Sequence, residues 1–266
     1  MQWNEQAAAA VGKVPFFIRK RVRKRVEEEA QRAGASVVTI EHVERCKQRF
    51  MKNMEDEVQG WQVETCFGPG GGCPNSVGPE PELAAQIEAH LASLDLKAEL
   101  KKRVAGPLKM HHEFRVSVSD CPNACSRPQI VDVGLIGAVR PEVTEEACSG
   151  CGGCVETCRE GAVHLDRGGA GPPLIEPDKC LACGHCLKAC PTGTLVAGLT
   201  GYRILVGGKL GRHPQLGQEL PGIFTAEETV EVVKRCAAHF LRHNRHGERF
   251  GEILQRTGCG KLGKGR

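Results

Sequence analysis

The sequence predicts an α+β fold, and three observations carry that reading. Phe114, Val116 and Val118 alternate with Arg115, Ser117 and Ser119, the period-two pattern of a half-buried strand. Residues 130–136 and 202–206 are two further apolar, β-branched runs that read as strands. Thr225 followed by Glu228 is a capping-box signal for a helix near 226–241. Strands and helices that succeed one another without regular βαβ alternation belong to α+β layers.

At the N-terminal end, Pro15 suits a first helical position and Gly34 a C-cap, so residues 16–33 are expected to be helical. Arg19, Lys20, Arg21, Arg23, Lys24 and Arg25 crowd the first half of that helix and oppose its dipole, while Glu27, Glu28 and Glu29 follow. Two readings of the stripe stand: a solvated face with local charge pairing, or a docking surface for an acidic electron donor. Membrane or nucleic-acid contact is the remaining alternative.

Composition narrows the class. Hydrophobic residues are 40% of 266, enough for a core. Aromatics at 4% argue against a stacking platform for single strands, and a net charge of +4 is too small to imply a polyanion. No apolar run approaches the length of a membrane span, and no signal peptide is evident. A reducing cytoplasmic setting is therefore expected, and there the 15 cysteines suit metal binding or catalysis rather than disulfides.

The cysteines are ordered. Cys148, Cys151, Cys154 and Cys158 form C-x2-C-x2-C-x3-C, and Cys180, Cys183, Cys186 and Cys190 repeat it 32 residues later. Gly161 and Gly193 repeat at the same offset, so the segment is an internal duplication. Soft thiolates in tight loops suit iron–sulfur cubes, with the fourth ligand of each cube drawn from the other copy. One cluster is then assigned to Cys148, Cys151, Cys154 and Cys190, the other to Cys180, Cys183, Cys186 and Cys158. Paired structural zinc sites are the alternative. The repeats resemble the two-cluster bacterial ferredoxin throughout, except that Arg159 stands where the second copy has Pro191. Cys66 and Cys73 in a glycine-rich loop, with Cys121 and Cys125 as C-x3-C, are a further set able to close a third cluster or a zinc site. Cys46, Cys236 and Cys259 lack paired spacing and read as free thiols.

The stretch Ser-Asp-Cys-Pro-Asn-Ala-Cys-Ser-Arg, which begins at Ser119 and continues to Gly137, resembles the signature of the sirohaem-dependent sulfite and nitrite reductases. The segment from Val206 to Pro214 resembles that family's second glycine-rich segment, and the ferredoxin-like insertion is closest to the anaerobic, ferredoxin-containing sulfite reductases. The resemblance implies a sirohaem–4Fe–4S domain in two parts, 59–142 and 199–266, interrupted by a two-cluster ferredoxin domain at 143–198. Residues 1–58 resemble the small domain that ends one subunit of light-independent protochlorophyllide reductase. The implied cofactors are sirohaem and three 4Fe–4S clusters. Cys66, Cys73, Cys121 and Cys125 would hold the third cluster, and Cys125 would bridge it to the sirohaem iron.

The implied reaction is six-electron reduction of sulfite to sulfide, fed by a low-potential donor protein through the ferredoxin clusters. Nitrite as substrate and a sirohaem-free electron carrier are the alternatives. Arg115 is expected to bind the small oxyanion, with Lys109 a further candidate. Arg127, Lys209 and Arg212 are expected to meet sirohaem carboxylates, and Gly207, Gly208 and His213 to contact the cofactor. His111 and His112 are candidate proton donors, or else ordinary loop histidines. Asp132 either orients a neighbouring amide or arginine or has a strand-end role. Three departures are visible. The first pair is C-x6-C, one residue longer than usual, and Glu113-Phe114-Arg115 stands where the family has Lys-Phe-Lys. Only one of the family's two half-repeats is present, which leaves a homo-oligomer as one way to complete the site.

Overall fold

The computed structural model describes residues 1–165, 171–260 and 262–263, with the side chains of 17, 52–54, 69 and 70 outside that description. The expected 143–198 module therefore includes residues 166–170, which lie outside the described residues. The chain divides into two compact units, residues 1–58 with 105–109, and residues 59–104 with 110–266.

In the first unit, β1 (Gln2–Trp3) and β2 (Val37–Val38) pair in parallel. They accompany α1 (Glu5–Gly12), α2 (Phe16–Arg32) and α3 (Ile40–Glu57). The expected helix is present, with Pro15 at the N-cap rather than inside. Its C-terminus follows the Schellman pattern. Gly34 adopts φ +71° and donates to Gln31, and Ala35 donates to Ala30. Ala7, Val26, Ala30 and Val38 form the small core.

The second unit is built on a five-stranded mixed sheet. In chain order it contains β3 (Trp61–Thr65), α4 (Gly68–Gly71), α5 (Leu83–Ala92), α6 (Leu96–Lys101), β4 (Phe114–Ser119) and β5 (Val133–Val143). Next come α7 (Gly153–Thr157), β6 (Val163–His164), β7 (Leu174–Ile175), α8 (His185–Ala189), β8 (Leu195–Val206) and β9 (Gln218–Glu219). The unit ends in α9 (Ala226–His243) and α10 (Phe250–Thr257). The sheet order is β3-β4-β5-β8-β9, with β3, β4 and β5 parallel and β8 antiparallel to β5. Phe114 turns to the helices, its ring 5.3 Å from Phe240 of α9 and 5.6 Å from Phe250 of α10. The Thr225–Glu228 capping box forms as expected.

The strand expected at 130–136 instead starts at Val133, because residues 128–130 make a 3-10 turn. β5 and β8 also run longer than the apolar runs suggested. Pro141 sits beside a register shift, and Gly198 and Gly201 interrupt β8's side-chain pattern, so the outer ladder carries no strand signature. The cysteine-rich segment projects from the end of this ladder, where Val143 pairs with Leu195. The 32-residue repeat holds in the backbone. α7 and α8 begin 32 residues apart, and Gly152/Gly184 and Gly161/Gly193 all adopt positive φ.

Candidate functional site

Two neighbouring parallel strands place the first set of thiols. β3 and β4 are in register from Trp61–Phe114 to Thr65–Val118, and Cys66 and Cys121 follow their ends. The Cys66 amide continues the ladder, donating to Val118 at 3.0 Å. Cys121 is close enough for Cys73, Cys125 and Cys66 to raise its pKa, although burial is the larger cause. Cys66, Cys73 and Cys125 thus lie within electrostatic reach of Cys121. The extra residue in C-x6-C is taken up by the helical turn at Gly68–Gly71 and by Gly72 at φ +66°.

Asp120 and Ser126 pin these loops, and sequence reasoning missed both. The Asp120 amide donates to Cys66 Sγ at 3.3 Å and its carbonyl accepts from Val77 at 2.9 Å. Its carboxylate accepts from Ser76 Oγ at 2.7 Å. Gly68 and Gly78 pack so tightly on that carboxylate that an added Cβ would lie 2.6 Å from it. The hydroxyls of Ser117 and Ser119 bond Ser126, which follows Cys125. Those hydroxyls hold the C-x3-C loop in shape, at positions where Ala124 and Arg127 adopt unfavourable positive φ.

The duplicated segment gathers two more sets. Cys148, Cys151, Cys154 and Cys190 line one cavity, and Cys158, Cys180, Cys183 and Cys186 line another. The second cavity is also lined by Pro122 and Asn123 of the C-x3-C loop, whereas among the described residues only those of the cysteine-rich segment line the first. Lys188 donates to the Pro74 carbonyl and His185 meets Asn75 at 3.2 Å, which ties the second copy to the Cys73 loop. Among the described residues no group of three acidic, histidine or cysteine side chains converges on a single metal ion.

The chemistry of the sets fits iron–sulfur clusters. Burial, then Cys183, Cys180 and Cys158, push the Cys186 thiol up to about 11. Gathered thiolates repel one another, and cationic iron removes that cost. Backbone amides aim at sulfur from Gly68 to Cys66, Gly150 to Cys148, Ala162 to Cys158 and Leu195 to Cys190. Burial raises the Cys190 thiol, but amides of Leu195, Thr192 and Gly193 and the Thr192 hydroxyl together bring it down to about 7. Of the remaining cysteines, Cys236 is fully buried and its thiol is raised by burial.

The polar residues divide. Arg115 Nε is buried without a hydrogen-bond partner, while Nη2 reaches the Met110 carbonyl at 3.4 Å, beside His111 and His112. Gln62, register partner of Arg115 on β3, likewise has an unpartnered buried Oε1, and sequence reasoning missed it. Asp132 takes the orienting role: it is fully buried, accepts from the Arg115 amide at 2.9 Å and from Arg249 Nη2 at 3.0 Å. Lys109 belongs to the 105–109 segment of the first unit.

Further positions have close neighbours within the chain. Glu113, at the lost Lys position, is buried, and its carboxylate accepts from the Gln59 amide at 3.0 Å. It caps the start of β3. Lys209 is buried and paired with Glu252 at 2.7 Å, and this bond is the leading cause of the lowered Glu252 pKa. Gly207 and Gly208 sit where a side chain would not fit. An added Cβ at Gly208 would lie 2.4 Å from the Gln129 carbonyl, and one at Gly207 would lie 3.1 Å from Leu254. That close approach, with Gly217 donating to Gln129 at 2.7 Å, seats the glycine-rich segment on the exit of the C-x3-C loop. Arg127, Arg212 and His213 remain exposed there. Phe67, Leu210 and Leu216 of the same loops are exposed apolar side chains.

Thiols gathered by strand ends and amide-lined loops of an α+β sheet define an iron–sulfur protein. Residues 61–264 match the family described as the nitrite and sulphite reductase 4Fe-4S domain, and the chain belongs to that family. Residues 3–47 match the proto-chlorophyllide reductase 57 kD subunit family. The coenzyme F420-dependent sulfite reductase of Methanocaldococcus jannaschii is 35% identical over 73% of this chain and 29% of its own length. One subunit of the anaerobic sulfite reductase of Salmonella typhimurium is 31% identical over 49% of this chain and 38% of its own. The chain thus spans well under half of these relatives. The crystal structure of dissimilatory sulfite reductase I shares the fold, with TM-score 0.52 and 20% identity over 82% of this chain and 58% of that one. No described helix is long and apolar enough to cross a membrane.

Proposed function

We propose that this chain holds a sirohaem beside a 4Fe–4S cluster and reduces sulfite to sulfide with six electrons. The observation that carries the proposal is the convergence of Cys66, Cys73, Cys121 and Cys125 at two strand ends, with Cys125 the exposed member. These four would hold the cluster, and Cys125 would join it to the sirohaem. Bound there, the pair supplies single electrons and an iron site for the oxyanion, which side chains cannot provide. The exposed Phe67, Leu210 and Leu216 suit an apolar macrocycle, and the exposed Arg127, Arg212 and His213 suit its carboxylates.

The protein's own part is charge and position. Arg115 offers a buried, unpartnered Nε–H to the oxyanion, and partial exclusion of water strengthens that interaction. Asp132 fixes the Arg115 backbone. His111 and His112 stand in the turn that Arg115 touches and suit proton delivery. Residues 143–198 act as the ferredoxin domain, with the two expected cysteine sets as its ligands. Pro122 and Asn123 adjoin the set containing Cys158, so this arrangement supports an order in which that set is the inner one. The set containing Cys148 is then the outer one, on the side of the donor protein.

The test is the visible spectrum of anaerobically purified, iron-loaded protein, followed by assay with reduced viologen dye on sulfite and nitrite. A sharp Soret band with a band in the red, and turnover of sulfite in preference to nitrite, are expected. Absence of both bands leaves a multi-cluster carrier.

A further inference from the structure

The cationic stripe on α2 is at odds with the helix that bears it. Arg19, Lys20, Arg21, Arg23, Lys24 and Arg25 fill its first half, where the dipole disfavours positive charge, and its first turn holds no acidic residue. Arg19–Arg23, Lys20–Lys24 and Arg21–Arg25 are like-charged i,i+4 pairs. The stability of the helix does not account for this charge.

Beside the stripe lies an open apolar groove of about 680 Å³ between α2 and α3. Ile18, Val22 and Val26 line it from α2, and Val43, Cys46 and Phe50 from α3. Each trio occupies one helical face. Ile18 is 40% exposed and Phe50 49% exposed, although both line the groove. The exposed Arg21, Arg25 and Lys47 also line it, with Glu44 the one acid among the described lining residues. The Arg25 guanidinium lies 5.7 Å from the Phe50 ring centroid, so cations and apolar floor form one surface.

A groove between two helices takes an amphipathic helix by side chains at i, i+3, i+4 and i+7. The cationic lining selects acidic flanks on that helix. We propose that the α2–α3 groove is a docking site for an acidic amphipathic helix of a partner protein. The groove is lined by residues of the first unit, and the proposal does not depend on the reductase reading.

The test uses the full iron-loaded chain and fluorescently labelled synthetic peptides of about five helical turns. One peptide carries Leu at helical spacing with Glu between, a second has the same residues scrambled, and a third replaces Glu with Lys. By anisotropy, the first is expected to bind about tenfold or more tighter than either control. Its affinity is expected to fall as salt rises. Phe50→Ser and the double change Arg21→Glu with Arg25→Glu are each expected to weaken it by about tenfold, with the helical circular dichroism unchanged. Equal binding of the scrambled peptide, preference for the Lys peptide, or no binding overturns the proposal. Sedimentation showing a dimer that Phe50→Ser dissolves assigns the groove to a second copy instead. Competition by sodium dodecanoate at stoichiometric concentration assigns it to a small anionic amphiphile, and either result also overturns the proposal.

Discussion

Replacing Asp120 with Ala separates the pinning of the Cys66–Cys73 loop from the rest of the chain. The carboxylate accepts from Ser76 at 2.7 Å, while backbone groups of Asp120 hold Cys66 and Val77 and survive the change. Loss of one hydrogen bond to a charged acceptor costs about 1.5–3 kcal/mol. Because the loop is local, that cost falls on its opening equilibrium and raises the open fraction by about 10- to 150-fold. The assay is release of iron to a ferrous chelator under anaerobic conditions. Roughly one third of the iron should leave faster by that factor, with the remaining two thirds unchanged, since three clusters of equal size are proposed. Asp120→Asn keeps an acceptor for Ser76 and should fall between the two. Uniform release from all clusters, or release unchanged in Asp120→Ala, would refute the pinning role.

Other perturbations address the remaining parts of the site. Glu113→Lys buries a cation and removes the cap on Gln59, so it should destabilise by several kcal/mol rather than tighten anion binding; an unchanged melting temperature with tighter sulfite binding would contradict this. Arg115→Ala should weaken sulfite binding by about tenfold or more, read from KM and from a sulfite titration of the visible spectrum, with Arg115→Lys recovering part of the loss. Cys125→Ser should abolish the coupled spectrum and activity while the ferredoxin cysteines still hold iron; full activity would remove Cys125 from the bridge. His90 and His239 have lowered pKa values, in both cases from burial first, then Lys234 for His90 and His243 for His239. The unfolded chain therefore binds protons that the folded one refuses, and stability should fall as pH drops below the ordinary histidine value of 6.5. The double variant His90→Gln with His239→Gln should show a flatter melting temperature between about pH 7 and pH 5.

Sequence alone determined the features that depend on neighbours along the chain. The 32-residue repeat of cysteines and glycines appears as a repeat of left-handed glycines and short helices, because tight loops are governed by local φ and spacing. The Thr225–Glu228 box is four residues long and needs nothing beyond itself. Tertiary structure alone decided the partners of the polar side chains. Glu113 meets Gln59 across 54 residues, Lys209 meets Glu252 across 43, and Asp132 meets Arg249 across 117. Seen in isolation, a buried carboxylate or lysine carries no mark of whether it will face a ligand or another chain segment. Desolvation makes an unpaired buried charge so costly that whichever group the packing brings within reach becomes its partner, and only the folded chain determines which group that is.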